Sequence, residues 1–354
     1  MSTTITQQIL NGVMNSPEFK GFIEKPQIPN EALSIFGRMQ GENLMPIEAD
    51  DFRKYSIIKP QKILAGLTAK GATEFSTNGE QSLEMLEAGI CKIGHQINYT
   101  EEDQAKIQQI MQRVGLNSSQ ISNYNIFQKY IDRKFNPITI FDSISNTFDL
   151  QGFFGANFTE KVRKQEGVAT LDFSGSVRGV FNHDNVNNAI VNNNGTGSND
   201  IEKRKWKNKT IVQILQDLFN IYNAIDKSIY QRPDTLVFSA DMYNFLNQEN
   251  PNATNSLYKT YLAEIQARFP SVNILSSYRM NEFKNADGTN NIDDLGDRFI
   301  FFKKDPMYYG LVFSDVKLYP IEVKTGNTFI KGIATSGGFY SKLKEGFYIA
   351  SGIN

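Results

Sequence analysis

One cysteine, two histidines and one tryptophan stand in a chain of 354 residues, and each scarcity excludes a kind of chemistry. Cys91 alone cannot build an internal disulfide framework, so a chain that matures in a reducing cytoplasm is expected. A single cysteine and two distant histidines, His95 and His183, cannot assemble a zinc ligand set. A basic excess is missing too: 37 Lys and Arg stand against 38 Asp and Glu. That balance argues against gripping nucleic acid through the bulk surface, which requires clustered positive charge. No run approaches the roughly 18 apolar residues of a membrane span. The stretch MSTTITQQILNGVMNSPEFK lacks a basic n-region and a long apolar h-region, so no signal peptide is expected in it. Gly195 and Gly197 lack the third glycine of a dinucleotide fingerprint, and no Walker pattern occurs.

What the chain does have is length, aromatics and periodicity. At this size roughly three quarters of the unfolded surface can be buried, so no disulfide or metal staple is needed. Apolar content of 40% and charged content of 21%, with 26 Phe and 15 Tyr, mark a globular chain. Residues 1 to about 55 read as an arm. Pro26, Pro29 and Pro46 interrupt them, and Ile9, Phe19, Phe22, Leu33 and Phe36 come singly, so the segment is expected to become ordered by lying on something else, with an ordinary N-terminal extension of the same domain as the alternative. A short helix is expected near 31–38. Residues 56–82 collect small side chains (Ala65, Gly66, Ala69, Gly71, Ala72, Gly79) between β-like runs and read as a long hairpin or loop.

ICKIGHQINY at 90–99 alternates, with Cys91, Ile93, His95, Ile97 and Tyr99 on one face of a half-buried strand. Thr100 is expected to cap a helix that Gly115 stops. A longer helix is expected from Ser118 or Ser119 to Phe148, kinked or split at Pro137, as a spine on which a sheet packs. Thr210 to Ile229 is strongly amphipathic. Strand and helix then alternate: TLVF at 235–238, a helix capped by Ser239, a helix from Asn255 to Phe269, a strand at 272–277 and RFIFF at 298–302. KLYPIEVK, TFIKGIAT and GGFYSKLKEGFYIASGI close the chain as strands. An α/β unit inserted between β-rich flanks is expected.

The candidates for chemistry dissolve on inspection. Cys91 and His95 share a strand face but sit about 13 Å apart at about 3.3 Å per residue, too far for a thiol–imidazole pair. His183 and Asp184 lie among asparagines and read as loop rather than dyad. The acidic loop Asp287, Thr289, Asn291, Asp293 to Asp297 lacks the sixth-position Gly and twelfth-position Glu of a calcium loop and reads as solvated. Lys203, Arg204, Lys205, Trp206, Lys207 and Lys209 combine charge with an aromatic, as a site that binds phosphate and stacks bases does. At a neutral bulk charge the favoured reading is a solvated approach to the 210 helix, with Trp206 packed before the Thr210 cap. No catalytic, cofactor-binding or metal residue is therefore assigned.

Four segments carry a resemblance. RGVFNHDNV (178–186) resembles a "G-L-x-N" segment after a spine helix. WKNKTIVQILQDL (206–218) is similar to the opening of an axial domain, and RPDTLVFSADMYNFL (232–246) to a "P-D-T-L" strand–helix step. GGFYSKLKEGFYIASGI (337–353) resembles closing "G-G-x…G-I" strands, with Lys344 where a proline is often seen. Together they resemble the major capsid proteins of tailed bacteriophages, of the Hong Kong 97-like fold.

The resemblance implies an α+β chain with an N-terminal arm (1–55) and an extended hairpin loop (56–89). It implies a peripheral domain with a spine helix (90–205 and 318–354) and an inserted α/β axial domain (206–317). It implies a structural protein, not an enzyme, that self-assembles as hexamers and pentamers of an icosahedral shell. The shell encloses double-stranded DNA without sequence-specific binding, in a virion assembled in the host cytoplasm. Portal, scaffold or decoration proteins are the implied partners, with no cofactor and no membrane. An encapsulin-like nanocompartment shell is the alternative, and an α/β enzyme the more distant one.

Overall fold

The computed structural model describes residues 30–46, 52–58, 84–100, 102, 138–156, 177–189, 191–249, 259–281, 297–319, 322–324 and 327–353. The hairpin stretch 59–83, nearly all of the helix expected from Thr100 to Gly115, residues 118–137 of the long one and the loop 285–296 lie outside them.

The most apolar strands explain the architecture. β5 (Thr235–Ser239) and β7 (Phe299–Phe302) are buried at every position. A strand with no polar face must be covered on both sides. Leu236, Phe238, Phe299 and Phe301 point into a core made with three helices: α4 (Ile211–Ile229), α5 (Ala240–Leu246) and α6 (Tyr261–Arg268). Val237, Ile300 and Phe302 point the other way, into a core made with α1 (Glu31–Phe36) and the end of α2 (Ile138–Phe154). The sheet between these layers has the order β4 (Asn187–Asn188), β12 (Phe347–Ala350), β7, β5, β6 (Asn273–Ser277). Its β5–β6 and β4–β12 pairs are parallel and the others antiparallel.

The second sheet is organised by one strand, β11 (Asn327–Ser341). Its first half pairs with β3 (Cys91–Tyr99), β10 (Glu322–Lys324) and β9 (Lys317–Leu318), and its second half with β8 (Tyr309–Phe313). The change of partner falls at a bulge between Ser336 and Gly338. Gly338 sits at φ 72°, a left-handed conformation that glycine alone adopts without cost, and a side chain there would strike the Arg178 carbonyl. The expected strands TFIKGIAT and GGFYS are thus one bent strand. α2 packs across β3 and β11, and the bare Gly332 backbone admits Ile140 of the helix.

Local sequence sets several ends as expected. Thr210 caps α4, accepting from the Gln213 N–H, while the Gln213 side chain answers at the Thr210 N–H. Along β3, Cys91, Ile93 and Ile97 are buried, His95 is half-buried, and Lys92, Gln96 and Asn98 are exposed. α2 is described from Ile138 and runs six residues beyond the expected Phe148.

Others differ. Ser239 precedes α5 without capping it, because its Oγ accepts from the Arg298 N–H at 3.2 Å. The helix expected from Asn255 is described from Tyr261, capped by Thr260.

Residues 30–46 behave as an extension of the same domain. They pack on their own chain rather than waiting for another subunit. Ala32, Ile35, Phe36, Met39 and Leu44 are all buried. Phe36 meets Phe339 at 5.1 Å, Phe153 at 5.5 Å, Phe302 at 5.9 Å and Phe347 at 6.1 Å between ring centroids. Apolar residues that appear single in sequence need no periodicity of their own when other elements supply the rest of the core.

Candidate functional site

Among the described residues, three clusters of buried polar side chains tie separate elements together. The first centres on Asp217, on the inner face of α4. Its Oδ2 accepts from Lys209 Nζ at 2.6 Å and Trp206 Nε1 at 3.1 Å. Its Oδ1 accepts from the Asn192 N–H at 3.0 Å and from Asn192 Nδ2 at 2.9 Å. Lys209 and Asp217 are both wholly buried, and burial pushes the Lys209 pKa down against the pull of the carboxylate. Four donors satisfy this carboxylate, the condition under which a buried charge is tolerated.

The basic run is thereby divided. Trp206 is fully buried, stacked on Phe299 at 5.3 Å and edge-on to Phe238, so it packs as expected and has no face left for a base. Lys209, expected in solvent, is inside. Lys205 pairs with Glu202 at 2.8 Å. Asp217 was the residue that sequence reading passed over. Its signal was a carboxylate within the apolar stripe of Ile214, Leu218, Ile221 and Ile225.

The second cluster clamps α1. Asp149 of α2 accepts from the Ala32 N–H at 2.6 Å and from Arg279 Nε at 2.7 Å. Glu31 accepts from Ser277 Oγ at 2.6 Å and the Arg279 N–H at 3.1 Å. Burial raises the Asp149 pKa, while its two donors pull it back.

The third cluster lies where the antiparallel ribbon of β1 (Phe52–Ile57) and β2 (Glu84–Gly89) meets the body. Tyr55 stacks on Tyr340 at 4.5 Å, and its hydroxyl faces His183 Nε2 at 3.1 Å. Asn185 donates its N–H to His183 Nδ1 at 3.0 Å and its Nδ2 to the Ser341 carbonyl at 2.7 Å.

The sequence candidates separate accordingly. Cys91 meets Gln151, whose Nε2 lies 3.3 Å from Sγ, rather than His95. His95 is half-buried on β3, and burial lowers its pKa. His183 follows a short 3-10 turn and is buried, while its neighbour Asp184 is largely exposed and paired with Arg178. Of the acidic loop only Asp297 is described, and it is buried beside Arg298. Burial lowers the Arg298 pKa to about 10, and its guanidinium lies over the Phe154 and Phe181 rings. Among the described residues no cluster of three metal-ligating side chains occurs, and no helix is long and apolar enough to cross a membrane.

Each cluster spends its polar groups on joining strands and helices. Residues 172–353, just over half of the chain, match the model of the family described as "Major capsid protein", and the chain belongs to that family. The matched range contains all four segments that carried the resemblance.

No curated protein matches the chain. Among solved structures, the capsid of Myoviridae phage XM1 shares the fold at a TM-score of 0.52 and 10% identity, over 86% of this chain and 87% of that one. The capsid of an empty GTA particle aligns over 92% of this chain and 91% of its own, at 8% identity and a TM-score of 0.47. A virus-like particle from Pyrococcus furiosus aligns over 99% and 100%, at 11% identity and a TM-score of 0.43. The protein is a structural, non-enzymatic subunit of a virion capsid, and its copies assemble with one another into the shell.

Proposed function

We propose that this chain builds its shell in the Hong Kong 97 manner. Residues 1–55 serve as an arm anchored through 30–46. Residues 56–89 form an extended hairpin rising from the β1–β2 base. Residues 90–205 and 318–354 make a peripheral domain around a spine helix that ends in α2. Residues 206–317 make an axial domain, to whose sheet the flanking segments lend β4 and β12. Copies join as hexamers and pentamers of an icosahedral shell around double-stranded DNA, assembled in the host cytoplasm with portal, scaffold or decoration proteins. A net charge of -1 suits a container that holds DNA without reading it.

The observation that carries this reading is the outer face of the ribbon. Alternation sends Tyr55, Leu86 and Ala88 toward the body and Phe52, Lys54, Met85 and Glu87 away from it. Phe52 is 58% exposed and Met85 56%, with Ile58 exposed just beyond, around a Lys54–Glu87 ion pair. Large apolar side chains gathered on one exposed face mark a contact surface.

Limited trypsin digestion of the unassembled chain is expected to cut first at Lys62 and Lys70, in the glycine-rich stretch between the two strands. In assembled particles a neighbouring subunit should shield the same bonds. Equal cleavage rates in the two states would remove the hairpin from the subunit contact.

A further inference from the structure

His183 is the one buried titratable ring whose two nitrogens can be assigned from their partners. Nδ1 receives the Asn185 N–H, so in the neutral ring the proton must sit on Nε2. Nε2 then donates to the Tyr55 hydroxyl at 3.1 Å, which leaves the Tyr55 O–H directed at the Ser341 carbonyl at 3.4 Å. This relay connects the 183–185 turn, the ribbon and the end of β11, segments up to 286 residues apart. Tyr55 is the deepest side chain of the ribbon, 3% exposed, so the ribbon's seating depends on it.

A second proton on the ring has nowhere to go without cost. On Nδ1 it would face the Asn185 N–H, donor against donor. The charged groups around the ring are already matched. On its own segment Arg178 pairs with Asp184, and on β2 Glu87 pairs with Lys54 of β1. Before β1, Glu42 pairs with Arg53 and with Lys342, which follows β11. From β11 the ring meets the edge of Phe339, and the neutral Ser341 binds the ring's partners Asn185 and Tyr55 rather than the ring itself. A cavity of about 20 Å³ beside it, lined by Tyr55, Glu87, Arg178, Asp184 and Phe339, has room for one water to bring the proton.

We propose that His183 and Tyr55 form a proton-operated latch, which holds the β1–β2 ribbon on the body while the ring is neutral and releases it when the ring is protonated. The direction follows from linkage. Burial, with the Arg178 charge in addition, pushes the His183 pKa from 6.5 down to about 3. The released state, with the ring in water, therefore binds the proton more readily than the latched state. Release is favoured as pH falls below 6.5, tenfold for each pH unit, until pH nears 3. The ribbon's outer face thus becomes mobile in acid while the two sheets stay intact.

Hydrogen–deuterium exchange of the assembled full-length chain, corrected for the intrinsic pH dependence of exchange, tests this between pH 7 and pH 4. Protection of Phe52–Ile57 and Glu84–Gly89 is expected to fall by about tenfold per pH unit below about pH 6, with β5 and β7 unaffected. His183→Gln keeps an amide donor but cannot titrate, and should abolish the slope. A slope unchanged in His183→Gln, or equal loss across β5 and β7, would overturn the latch. Where that variant fails to fold, 15N-histidine solid-state NMR of the wild-type shell decides, with half-buried His95 as the only other signal. A neutral Nε2–H ring at pH 6 that is protonated together with ribbon release supports the latch. An imidazolium at pH 6 beside a protected ribbon overturns it.

Discussion

Phe36→Ala is expected to destabilise the chain by about 3–5 kcal/mol, the cost of removing a fully buried phenylalanine from a core that cannot close around the gap. The side chain is 1% exposed and touches four other phenylalanine rings drawn from α2, β7, β11 and β12. A chain beginning at residue 47 should fare worse. It also loses the α1 clamp on Asp149 and Arg279, leaving Asp149 buried with one donor fewer. Urea unfolding of the unassembled chain, followed by intrinsic fluorescence, measures both. A loss below 1 kcal/mol in Phe36→Ala, or a normal midpoint for the shortened chain, would return residues 30–46 to the status of a detachable arm.

Asp217→Leu should cost a similar amount for a different reason. It strands the Lys209 ammonium in a site with no exposure and removes the acceptor for Trp206 Nε1 and Asn192. Breaking one side of a buried pair typically costs about 3–5 kcal/mol, because the remaining charge keeps its desolvation penalty. Lys209→Met alone leaves the carboxylate with its Trp206 and Asn192 donors and should cost less. The double variant should recover much of the loss in Asp217→Leu, giving a coupling energy well above the few tenths of a kcal/mol found for independent sites. Additive losses would mean that the two side chains act separately.

These two sites also show where the sequence was legible. α4 could be read from its Thr210 and Gln213 cap and its stripe, because both signals lie within the element. β3 could be read from strict alternation, since it has one buried face. The two faces of β5 and β7 were harder: a continuous apolar run says that both sides are covered, but not by what.

The sequence leaves two readings open for residues 30–46 because the partners of Phe36, namely Phe153, Phe302, Phe339 and Phe347, lie more than a hundred residues away. His183 looked like a loop histidine among asparagines for the same reason, its partner Tyr55 being 128 residues distant. Lys209 is the instructive case. Its partner is only eight residues on, and a carboxylate on the apolar face of a helix announces a buried cation nearby.

The capsid role is tested most directly by the assembly state of the expressed chain. Size-exclusion chromatography with light scattering, followed by electron microscopy over rising protein concentration, measures it. The expected result is large, hollow, closed particles built from many copies, with the exposed Phe52 and Met85 buried between subunits. A stable monomer or dimer at every concentration, including with co-expressed phage assembly proteins, would contradict a shell-forming role.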